Sequence, residues 1–217
     1  MAESARGRSG IVRFPSISYA NGAEYASAYF ESLAAAARGI DFEQIGRAAD
    51  ALSGLFQADR TLYVCGNGGS AAISNHLLCD FAKGIQTDTP LRPRVVSLSS
   101  HVELITAIGN DFEFAEIFRY QLRTAARPGD ALMTISSSGN SENVVRAIEW
   151  ARGNGVSSIA LTGFSGGRSA ALADINIHVP AENYGVAEDL HQSVMHILAQ
   201  FLRMRVMEPG LVAAKHF

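Results

Sequence analysis

Cys65-Gly66-Asn67-Gly68-Gly69-Ser70 and, further along, Ser136-Ser137-Ser138-Gly139-Asn140-Ser141 are the two stretches whose reading decides the fold. Each follows a short apolar run, Thr61–Val64 and Ala131–Ile135, and each opens a helical pattern. A parallel α/β sheet places its ligand-binding loops in this way, at the carboxyl ends of strands. Glycine lets backbone approach an anion closely, the first helical amides and the serine hydroxyls supply donors, and the helix dipole favours negative charge. One such loop is weak evidence, because a tight strand-to-helix turn explains it equally well. Two in one small sheet, both dense in hydroxyls, point to a phosphate. Neither contains lysine, no Gly-Lys-Ser/Thr follows the glycines, and the first lacks the dinucleotide fingerprint. A phosphomonoester, such as a sugar phosphate, is therefore expected rather than a nucleoside triphosphate.

The pattern around these loops alternates. Strands are expected at Thr61–Cys65, Arg94–Ser97, Ala131–Ile135, Ser157–Thr162 and Ile175–Val179, with helices between them and a last long helix over Ala187–Val206. This predicts a five-stranded parallel sheet covered on both faces, a flavodoxin-like three-layer α/β/α sandwich. Two helices precede the first strand, over Glu24–Arg38 and from the N-cap Asp41 to Leu55. Met1–Gly22, rich in Ser, Gly, Ala and Arg, is read as a flexible arm.

Composition narrows the function. The 217 residues are 47% hydrophobic and 18% charged, enough for a substantial core in one domain. A net charge of −3 without a basic stripe argues against nucleic acid. Cys65 and Cys79, both placed in core elements, do not make a disulfide framework, so a cytoplasmic protein is expected. No apolar run is long enough for a membrane span.

Gly66-Asn67-Gly68-Gly69-Ser70, Gly109-Asn110-Asp111-Phe112, Ile135–Ser141 and Leu161-Thr162-Gly163 together resemble the sugar isomerase (SIS) domain proteins, and within them the bacterial phosphoheptose isomerases. The resemblance runs from about Glu24 to Leu202 and makes residues 23–217 one SIS domain. It implies the conversion of sedoheptulose 7-phosphate to a glycero-manno-heptose 7-phosphate, in a homotetramer with active sites shared between subunits. By position it assigns Ser136, Ser137, Ser138 and Ser141 to the phosphate. Asn67, Gly68, Ser70, Asp111 and Glu188 are assigned to the substrate.

Aldose–ketose isomerisation through an enediol needs a base for a carbon-bound proton and an acid, or Lewis acid, for an oxyanion. His76 and Asp80 share a helix face, and Glu188, Gln192 and His196 form one stripe at four-residue spacing. The resemblance places the acid–base pair on Asp80 and His196. It implies zinc ligation by His76, Asp80, Glu188 and His196, and leaves Gln192 and His191 as ordinary helix residues. Two departures stand out: Asp80 replaces the family's glutamate and Glu188 its glutamine. The shorter Asp80 loses about 1.5 Å of reach. Two carboxylates and two neutral imidazoles around Zn²⁺ make a formally neutral site, from which tighter metal binding is expected. The competing class is a non-catalytic SIS module that binds the replication initiator or senses a sugar phosphate. Retention of His196 and of an acid at position 80 argues against it.

Overall fold

The computed structural model describes residues 10–217. Its sheet has five parallel strands, β1 Thr61–Gly66, β2 Arg94–Ser97, β3 Ala131–Ser136, β4 Ser157–Thr162 and β5 Ile175–His178. Their order is β2-β1-β3-β4-β5, the flavodoxin-like arrangement. β1 and β3 are buried along their whole length, as strands covered on both faces must be. The period of two then sorts side chains between two cores. Leu62, Val64, Met133 and Ile135 enter one, and Tyr63, Cys65 and Leu132 the other.

The first core is closed by α1 Gly22–Arg38, α2 Phe42–Gln57, α3 Gly69–Cys79 and α8 Tyr184–Val206. Leu52, Leu77, Phe81 and Leu198 are fully enclosed there, and each contributes about 1.5–3 kcal/mol by leaving water. The second core lies under α4 Val102–Asp111, α5 Ile117–Ala125 and α6 Glu142–Gly153. Short helices α7 Gly167–Leu172 and α9 Pro209–Val212 complete the set. Asp41 caps α2 as expected, its carboxylate accepting from the Glu43 amide.

The structure differs from the sequence reading in three places. Residues 1–9 of the expected flexible arm lie outside the described residues, but the rest of that arm is not free. The Val12 N–H donates to the Pro180 carbonyl at 2.8 Å, and the Val12 carbonyl accepts from the Glu182 N–H at 2.8 Å. Phe14 is buried among Tyr19, Tyr25 and Tyr29, with ring centroids 4.9–5.9 Å away. A segment without periodicity is thus held by partners from the far end of the chain. Cys79 is exposed rather than in the core, whereas Cys65 is fully buried, which pushes its thiol up and leaves it inert. Finally, the helix opened by the first loop keeps α geometry only as far as Cys79, and Asp80–Ile85 winds as a π-helix.

Candidate active site

The serine loop ends β3 and opens α6. Ser136 Oγ accepts from the Gly139 amide at 3.2 Å and Ser138 Oγ from the Asn140 amide at 3.2 Å, so the loop folds on its own hydroxyls. Ser141 is the N-cap of α6, yet its side chain caps no amide. Ser137 Oγ is buried without a partner, which is costly unless a ligand supplies one. The loop after β4 clamps this turn from outside. The Gly163 amide donates to the Ser137 carbonyl at 2.9 Å, Ser169 to Gly139 at 2.9 Å, and the Arg168 amide to Asn140 Oδ1 at 3.0 Å.

A cavity of about 140 Å³ opens on this loop. Asn67, Ser70, Tyr184 and Glu188 close over the four serines. Asn67 also ties the two loops together, exchanging two amide hydrogen bonds of 2.9 Å with Asn143 on α6. Gly68 starts α3, and a Cβ at the next residue, Gly69, would overlap the Glu188 carboxylate. Burial, and then the neighbouring Asp189, raise the Glu188 pKa. Asp111 is not brought here. It ends α4, exposed, accepting from the Asn110 side chain at 3.0 Å.

Further along α3 and α8 lies a second cluster. His76 Nε2 sits 3.4 Å from Asp80 Oδ1, and His196 Nε2 sits 3.5 Å from Asp80 Oδ2. The π-turn begins at Asp80, so its altered winding sets where this carboxylate points. Gln192 bridges the pair: its amide nitrogen is 2.9 Å from His76 Nδ1 and 3.1 Å from His196 Nε2. Treated at the sequence level as an ordinary helix residue, Gln192 is the centre of the cluster. The signal was its place on the Glu188–His196 stripe.

Glu188, expected as a ligand beside His196, is absent from the described group of donors that could share an ion, which consists of His76, Asp80 and His196. Eight residues of helix separate Glu188 from His196, a rise of about 12 Å, and its carboxylate is engaged beside Gly69. The neutral four-ligand arrangement expected from two carboxylates and two imidazoles is therefore not formed within one copy of the chain. The three that do converge fit zinc. Their donor atoms lie within 4.8 Å of one another, and tetrahedral bonds of about 2.0–2.1 Å separate neighbouring donors by about 3.4 Å. Three protein donors of mixed nitrogen and oxygen leave one position open, the pattern of catalytic zinc.

A domain model described as SIS domain matches residues 24–163. The chain belongs to the SIS domain family. Among curated SIS proteins it is 40% identical over 141 residues to the phosphoheptose isomerase of Nitratidesulfovibrio vulgaris strain Miyazaki F, covering 65% of this chain and 67% of that protein. It is 34% identical over 177 residues to the phosphoheptose isomerase of Akkermansia muciniphila, covering 82% and 90%. The solved structure of phosphoheptose isomerase GmhA from Neisseria gonorrhoeae superposes with a TM-score of 0.77 at 32% identity, over 84% of this chain and 98% of that one.

One residue of α8 carries a stability consequence. His191 is fully buried, and neither ring nitrogen has a hydrogen bond of good geometry, the Thr162 backbone being the nearest partner. Burial lowers its pKa to about 4, opposed by the Thr162 backbone and assisted by His178. The folded pKa lies below the ordinary 6.5, so the neutral ring is the form the fold retains. Its contribution is present above pH 6.5 and is lost as pH falls toward 4, amounting to roughly 3 kcal/mol. Melting temperatures measured from pH 7 to 4 are expected to fall more steeply for the wild type than for His191→Leu. Parallel curves would count against this assignment.

Proposed function

We propose that the protein is a ketose–aldose isomerase acting on a sugar phosphate, sedoheptulose 7-phosphate being the first substrate to test and a glycero-manno-heptose 7-phosphate its product. The observation that carries this is the pairing of the serine loop after β3, walled by Ser70 of α3 and Glu188 of α8, with an acid–base cluster further along those two helices. The relatives named phosphoheptose isomerase support it over nearly the whole of their length in the case of GmhA.

In this reading the serine hydroxyls and the α6 amides bind the phosphate and fix the far end of the sugar. Asp80 removes the proton from C1 of the ketose and returns it to C2. His196 hands a proton to the C2 oxygen as the enediol forms and takes the O1 proton back as the aldehyde appears, so that it ends in the state in which it began. Zinc held by His76, Asp80 and His196 would supply positive charge that stabilises the developing oxyanion. A carboxylate offers about four lone-pair sites and an imidazole two nitrogens, so ligation leaves Asp80 and His196 each an atom for handling protons. Gln192 keeps the two imidazoles oriented.

The assembly belongs to the same proposal: residues 23–217 form one SIS domain that associates as a cytoplasmic homotetramer with shared sites. His76 and His196 are close to half exposed, and Ile197, Phe201 and Met204 lie exposed just beyond His196. The helical rise of about 12 Å between Glu188 and His196 also suits a site completed across copies. No helix among the described residues is long and apolar enough to cross a membrane.

Turnover of sedoheptulose 7-phosphate by the zinc-loaded protein tests the activity. Binding without turnover would favour a sensing role instead. For the metal, zinc at about a hundred times its dissociation constant is expected to raise the melting temperature by roughly 5–10 °C. The rise should vanish in His76→Ala, and an equal rise in that variant would remove His76 from the ligand set.

A further inference from the structure

The serine cavity has an unusual charge for a phosphate site. Among the described residues, Glu188 is the one charged side chain lining it, and no lysine or arginine does. The cavity holds about 140 Å³, so an anion among the serines lies close to this carboxylate. Glu188 cannot withdraw toward α3, because its oxygens already fill the space that a side chain at Gly69 would need. Among the described residues, no group donates a hydrogen bond to it or forms an ion pair with it. Asp189 beside it is turned to α1, accepting from Tyr29 Oη at 2.6 Å. Opposite stands the unpartnered Ser137 hydroxyl, a second sign that a ligand enters here.

A carboxylate only accepts hydrogen bonds. Inorganic phosphate and a phosphate ester are both close to dianionic at pH 8 and are repelled alike by a carboxylate, but inorganic phosphate offers it a single O–H, whereas the sugar adds several hydroxyl donors. We infer that Glu188 is the specificity-determining residue of the serine cavity, disfavouring bare phosphate and selecting phosphate esters whose adjacent carbons carry hydroxyl groups. This rests on the sugar-phosphate reading above. It gives the cavity a means of discriminating against inorganic phosphate, which the serines and the α6 amides by themselves would bind as readily as any ester. A site that relies on a substrate hydroxyl rejects ligands lacking it, since the buried polar group is then left unpaired.

Calorimetric titration of the wild type and Glu188→Gln with inorganic phosphate and with sedoheptulose 7-phosphate at pH 8 tests the inference. Glutamine keeps the shape and removes the charge, and equal melting temperatures would show that the fold is retained. The variant is expected to bind inorganic phosphate about tenfold more tightly, and its preference for the sugar phosphate should narrow, because relief of repulsion is shared by both ligands whereas the loss of hydroxyl–carboxylate bonds falls on the sugar ester alone. Phosphate affinity unchanged by the substitution, with sedoheptulose 7-phosphate still bound, would overturn the role of Glu188 and leave the isomerase reading standing. Tighter phosphate binding with sedoheptulose 7-phosphate bound by neither protein would overturn the sugar-phosphate reading, and selection of sugar esters with it.

Discussion

The His196→Ala protein is expected to isomerise sedoheptulose 7-phosphate about 10²–10⁴ times more slowly than the wild type, with KM changed far less. The range is that of a positioned general acid or base. Binding is spared because the phosphate cradle is built by the β3–α6 loop, two helical turns from His196 along α8. The fold should be spared too: the His196 side chain is 40% exposed, and its contacts are Gln192, Asp80 and the His76 ring. Steady-state kinetics together with the melting temperature check this. A KM rise of similar size with kcat retained would move His196 from the chemistry to binding.

Gly139→Ala is expected to cause the largest loss of stability in the site. Gly139 has φ +65°, a left-handed conformation, and a Cβ there would be driven into the Gly166 carbonyl. The turn cannot relax outward, because Ser169 and Gly163 donate to it from the neighbouring loop. Strain and displaced contacts together amount to about 3 kcal/mol or more, which lowers the melting temperature by roughly 6–12 °C. Phosphate binding should be lost along with the loop geometry. Gly46→Ala in α2 is the control. Its Cβ meets nothing within 4 Å, so alanine should stabilise the helix by about 0.5–1 kcal/mol. Equal effects at the two positions would show that the loop is more compliant than its contacts indicate.

The five strands were legible because each is an apolar run between turn residues, and their ends moved by at most a residue or so. The serine cradle was legible because its chemistry is local: hydroxyls, a glycine and a helix start all lie within six residues. The cluster of His76, Asp80 and His196 could be suspected from helical spacing, but Glu188, expected beside them, does not join it within one copy of the chain. Spacing puts Glu188 and Gln192 on one stripe and does not say which meets the histidines. Packing of α3 against α8 decided that, bringing Gln192 to His76 and Glu188 to Gly69. The amide exchange between Asn67 and Asn143 was likewise hidden, since it joins residues far apart in the chain.

By itself, then, the sequence determined the parallel sheet, its two glycine-rich loops and the residue types available for acid–base chemistry, all of which follow from local periodicity and turn chemistry. Only the tertiary structure decided three further things: the π-turn that aims Asp80, the docking of Val12 and Phe14, and the division of α8 between a wall of the serine cavity at Glu188 and a metal-competent cluster at His196. Each depends on the angle and register at which distant elements pack, and packing is set by the whole core rather than by any one segment.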